Sequence, residues 1–132
     1  MSLLNSRFNS TYVLNKKELA SDLKKILGFR PGNLKLYEVA FIHRSASFTL
    51  PDGMRVNNER LEYLGDAILD AILSDYLFEK FPDASEGFMT KIRSRIVNRD
   101  VLNHLAVSMG INQILISNVG PANSTKNLYG DA

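Results

Sequence analysis

Four acidic residues, Glu59, Glu62, Asp66 and Asp70, recur at three- and four-residue spacing in the stretch from Asn58 to Leu77. On a helix turning about 100° per residue they fall on one side, within roughly 80° of one another. Glu62 and Asp66 stand one turn apart, so their carboxylates are neighbours and repel. A row of acids with no Lys or Arg interleaved invites a cation. Carboxylate oxygens suit Mg²⁺, which keeps several waters and completes its shell with phosphate oxygens. Such an ion supplies charge at a reacting phosphate and a water nucleophile. The chain has no Cys and no convincing Ser–His pairing, which agrees with chemistry that needs no covalent protein nucleophile. The bland alternative is a solvated helix face. A third reading is a structural Mg²⁺ or Ca²⁺ site, but acids on one helix do not make the loop of a calcium sensor.

The helix that must carry this row runs from Asn58 to about Lys80. Leu61, Leu64, Ile68 and Ile72 are expected to form its core-facing stripe, the line along which this central helix of an all-α fold is most buried. Gly65 inside it costs up to about 1 kcal/mol relative to Ala, usually offset by close approach of another backbone. Tyr63 lies beside the acidic row and off the stripe, which points to packing against a partner chain.

The 132 residues, 45% hydrophobic with a net charge of +2, are read as one domain with a real core. That charge is too small to diagnose nucleic-acid binding. The absence of Cys excludes disulfides and thiolate metal sites. No apolar run reaches the roughly 18 residues that would span a bilayer, and no apolar signal segment opens the chain; a cytoplasmic protein is expected. Residues 1–14 are read as a loose arm and 15–132 as the domain.

Along that domain, Asn15 is placed to cap a helix from Lys16 to Leu27, ended by Gly28 and kept ended by Pro31. Asn33 caps a second helix through about Ile42. Phe48 to Val56, with Pro51, Asp52 and Gly53, reads as a loop. Ser85 caps a helix from Glu86 to about Val97, with Lys91 and Arg95 one turn apart: either a solvated face or a phosphate contact. A further helix starts at Asn98 or Asp100 and closes at Gly110. Ile111 to Ile116 is a strand or a helical turn, and Ser117 to Asn127 a loop.

The segment Asn58-Glu59-Arg60-Leu61-Glu62-Tyr63-Leu64-Gly65-Asp66 closely resembles the signature of the ribonuclease III family. His43-Arg44-Ser45 is similar to the short segment preceding that helix in the family, although His43 by itself reads as a structural hydrogen bond near a helix end. The resemblance covers about residues 33 to 132. It implies an endoribonuclease that hydrolyses double-stranded RNA with Mg²⁺ (Mn²⁺ also suits), leaving 5′-phosphate and 3′-hydroxyl ends in RNA processing such as that of rRNA. It implies a homodimer with each site cutting one strand. Glu62, Asp66 and Asp131 become the metal ligands and catalytic acids, with Glu59 and Glu86 in support and Lys91 and Arg95 toward RNA. Tyr63 takes the place of the family's usual Phe, which packs into the partner subunit, and Gly65 joins that interface. Asn57 stands where many members have His. The family's next Glu would fall at position 134, past Ala132, so the last helices of the domain are expected to be missing or incomplete and the chain as it stands to cleave poorly. The competing class is a non-catalytic ribonuclease III-like module that binds RNA or the ribosome.

Overall fold

The computed structural model describes residues 15–118. Two compact units divide the chain, residues 1–34 and 35–132. The first carries helix α1 (Lys16–Leu27), on which Leu19 and Leu23 are buried. Asn15 caps it by accepting the Lys17 N–H at 3.1 Å. Gly28 closes it with φ 78°, a left-handed conformation that suits a residue without Cβ. The proposed arm of residues 1–14 lies outside the described residues.

The second unit begins within α2 (Leu34–Ala40) and continues through a two-stranded antiparallel hairpin, β1 (Phe48–Thr49) and β2 (Arg55–Val56), to α3 (Glu59–Lys80), α4 (Glu86–Ile96) and α5 (Arg99–Met109). The all-α expectation stands, since a single hairpin is the only sheet among the described residues. The stretch read as a loop is this hairpin, in register Phe48↔Val56 and Thr49↔Arg55. Asp52 accepts the Met54 N–H at 3.0 Å, and Gly53 turns the chain at φ 83°. Two residues per strand are too few for an alternating pattern to show.

The helix ends follow local chemistry. Ser85 accepts the Phe88 N–H to start α4, and Asn98 accepts the Val101 N–H to start α5. Each satisfies one of the amides that a helix leaves without an internal partner. Gly110, at φ 83°, ends α5. A 3₁₀ turn, Ile111–Gln113, follows, and Ile116 then forms a parallel bridge with Ile42. The apolar stretch is thus first a turn and then extended.

Phe41, Ile42, Val56, Leu77, Ala106 and Ile114 are buried in this unit, with polar His43, Asn58 and Asn103 beside them. The expected stripe on α3 is corrected here. Leu64, Ile68 and Ile72 are 53%, 50% and 60% exposed, and Leu61 is half-buried. The inward line is Leu69, Leu73 and Leu77, half-buried, half-buried and buried. Apolar residues occupy both lines, one residue out of phase, so helical periodicity establishes the helix but not which line turns inward.

Candidate metal centre

Helix α3 carries the acidic row as its spacing predicts. Glu62 is half-buried and Asp66 exposed. Both line one groove, with Leu36, Tyr37 and Ala40 of α2, Asn58, Leu61, Gly65 and Leu69 of α3, and Leu102 of α5. The groove is apolar apart from the acid pair, Asn58 and Tyr37. Nothing lies within 4 Å of where a Cβ on Gly65 would stand, so among the described residues no second backbone approaches this glycine and the space beside the acids is open. Tyr63 is 82% exposed, consistent with its placement off the core.

The other two acids of the row, Glu59 and Asp70, do not line this groove. The Glu59 carboxylate accepts from Asn57 Nδ2 at 2.8 Å. Asn57 also donates to Ser47 Oγ at 3.0 Å and accepts the Glu59 N–H at 3.1 Å. Asp70 faces Arg93 of α4, with Nε 3.9 Å from Oδ1. Arg93 Nη1 donates to Ser74 Oγ at 2.6 Å, and Ser74 Oγ donates to the Asp70 carbonyl at 2.7 Å. A cation therefore does enter the row, from the neighbouring helix. Sequence reasoning missed Arg93 because pairing across helices has no spacing signature, and it noted Asn57 only as a departure from the family. The acids that face the groove are the Glu62–Asp66 pair.

Glu86 opens α4, where it accepts from Thr90 Oγ1 at 2.9 Å. It lines a second groove with Ser74, Asp75, Leu77, Phe78, Met89, Thr90 and Arg93, not the groove of Glu62 and Asp66. Lys91 and Arg95 are exposed on α4. Asp131 lies outside the described residues. His43 serves as the structural cap of the turn Arg44–Ala46, its Nδ1 accepting the Ser45 N–H.

Among the described residues no group of three or more His, Asp or Glu side chains is disposed to hold a metal. Two carboxylates one turn apart beside open space nonetheless fit Mg²⁺. This ion is commonly bound through one or two carboxylates, with waters and phosphate oxygens filling the remaining positions.

A helical domain built around an acidic α-helix is the class that the fold and groove define. The family model of the ribonuclease III domain matches residues 59–132. Ribonuclease 3 of Bacteroides fragilis is 40% identical over 132 residues, covering 98% of this chain and 46% of the relative. Ribonuclease 3 of Azobacteroides pseudotrichonymphae is 48% identical over 101 residues, covering 76% of this chain and 39% of the relative. The nuclease domain of ribonuclease III from Campylobacter jejuni, described as structurally flexible in a region involved in dimer formation, superposes with a TM-score of 0.65 at 32% identity. That superposition covers 77% of this chain and 67% of the other. The chain belongs to the ribonuclease III family. It spans about half the length of the Bacteroides relative it matches.

Proposed function

We propose that this chain provides the catalytic domain of an endoribonuclease that hydrolyses phosphodiester bonds of double-stranded RNA, giving 5′-phosphate and 3′-hydroxyl ends in RNA processing, including that of rRNA. The observation that carries the reading is the Glu62–Asp66 pair, one turn apart on an open groove within the residues matched to the family. Glu62 and Asp66 would hold Mg²⁺, or Mn²⁺, with Asp131 as a further ligand. When bound, the ion supplies positive charge at the scissile phosphate and activates water for attack.

The chain's own residues divide the remaining work. Glu62, half-buried in the groove wall, holds one ligand oxygen in a fixed place, and exposed Asp66 presents the second toward solvent and substrate. Asn57 restrains the Glu59 carboxylate, and Arg93 offsets the charge of Asp70, so the repulsion along the row is eased at the Asp70 end. Lys91 and Arg95 offer cations to phosphates of the duplex, contacts that position the backbone without reading sequence. Glu86, away from the groove, would act only indirectly. Tyr63 and the open face at Gly65 suit a homodimer, in which each residue of an isologous interface is buried once per chain. No helix among the described residues is long and apolar enough to cross a membrane; the cytoplasm is the proposed location.

The test is cleavage of a labelled RNA duplex by the full-length protein. Asp66→Ala should abolish Mg²⁺-dependent cleavage and leave RNA binding largely intact, with a thermal melt alongside to establish that the variant is folded. Undiminished cleavage by Asp66→Ala would sink the assignment.

A further inference from the structure

Three segments distant in sequence meet at residues 41–45. Ile116 donates its N–H to the Phe41 carbonyl at 2.8 Å, and His43 donates its own to the Ile116 carbonyl at 3.0 Å. From the same extended stretch, the Ile42 carbonyl accepts the Asn58 N–H at 2.8 Å. Asn58 is 2% exposed and lines the groove of the acid pair. Its carbonyl accepts two amides of the first turn of α3, those of Leu61 and Glu62, both at 2.9 Å. Glu62 is therefore two hydrogen bonds from Ile42, and Ile42 sits in a stretch locked to Ile116.

Ser45 fastens the far side of this junction. Its Oγ accepts the Asn118 N–H at 3.1 Å, and its carbonyl accepts from Asn118 Nδ2 at 3.3 Å. The same Oγ lies 2.9 Å from His43 Nδ1, which also accepts the Ser45 N–H at 3.1 Å. A hydroxyl has one proton to give and two lone pairs. Because His43 Nδ1 accepts the Ser45 N–H, it carries no proton and the ring proton sits on Nε2; the Ser45 hydroxyl, with one lone pair taken by Asn118, gives its own proton to Nδ1. His43 is 7% exposed, and its orientation is held by this pattern.

We infer that Ser45 is a positioning residue for the Glu62–Asp66 pair, acting through the junction of His43, Ile42, Ile116 and Asn58. The inference rests on the metal-site reading above. The hydroxyl joins Asn118 to the buried imidazole. This fixes the stretch whose Ile42 carbonyl anchors the entry of α3, and so the place of Glu62 relative to the groove.

The test uses the whole chain with Ser45→Ala and Ser45→Thr, reading Mn²⁺ affinity by electron paramagnetic resonance and amide hydrogen exchange without metal. Ser45→Ala should bind Mn²⁺ about five-fold more weakly, the size of one net hydrogen bond. Exchange at Asn118 and Asn58 should be faster, and Ser45→Thr should restore both. A lowered melting temperature with parental Mn²⁺ affinity would make Ser45 merely structural and overturn the inference, as would a variant indistinguishable from the parent. Asp66→Ala is measured beside them. If it abolishes Mn²⁺ binding while Ser45→Ala binds like the parent, only this inference falls. If Asp66→Ala also leaves Mn²⁺ binding unchanged, the metal-site reading falls and takes the inference with it.

Discussion

Replacing Leu77 and Ile68 separately by Ala tests which line of α3 carries its packing. Leu77 is 2% exposed and Ile68 50% exposed, although both are large aliphatic residues in one helix. Emptying a fully packed leucine site costs about 2–5 kcal/mol, because transfer free energy and cavity formation add. Complete burial of an aliphatic side chain contributes about 1.5–3 kcal/mol, so half-burial of Ile68 sets a ceiling of about 1.5 kcal/mol. Alanine's better helix propensity returns a few tenths of that. The expected gap between the variants is therefore roughly 1–4 kcal/mol. Urea denaturation followed by circular dichroism measures it, as a shift in midpoint at unchanged slope. The comparison is made at several protein concentrations, because an interface over Ile68 would make its cost rise with concentration. Ile68→Ala costing as much as Leu77→Ala at every concentration would refute the inward line Leu69, Leu73 and Leu77.

Three further outcomes follow from particular residues. Tyr63→Asp, at a position 82% exposed within one chain, should leave the fold intact and shift sedimentation toward monomer; an unchanged mass for the folded variant would count against the contact. Asn98→Ala removes the acceptor that holds the Val101 N–H at 3.0 Å and should cost about 1 kcal/mol in urea denaturation, with no loss disproving the cap. Gly110→Ala places a Cβ on a residue at φ 83° and should cost roughly 1–2 kcal/mol, whereas a more stable variant would contradict that backbone conformation.

Helix limits were the most legible part of the sequence, because they depend on local chemistry. Asn15, Ser85 and Asn98 accept the amides their positions suggested, and Gly28 and Gly110 take the left-handed conformation. The Glu62–Asp66 pair was legible for the same reason, since a four-residue spacing fixes neighbours on any helix. Burial phase was not legible, because Leu64, Ile68 and Ile72 compete with Leu69, Leu73 and Leu77 and only tertiary packing decides between them. Arg93 beside Asp70 was equally hidden, being separated from it in sequence and joined to it only by the packing of α4 on α3. The grip of Asn57 on Glu59 spans two residues, and the same amide reaches back across the hairpin to Ser47, a contact that no periodicity reveals.

Mn²⁺ binding by the parent protein and by Glu62→Gln, Asp66→Ala and Asp70→Asn tests the central claim most directly. Two carboxylates facing the groove predict that Glu62→Gln and Asp66→Ala each lose most of the affinity. Asp70, already beside Arg93, predicts an Asp70→Asn variant that binds as the parent does. Equal losses in all three variants would mean that the ion senses only the summed charge of the helix face, and parental binding in Glu62→Gln and Asp66→Ala would contradict a metal site at this pair.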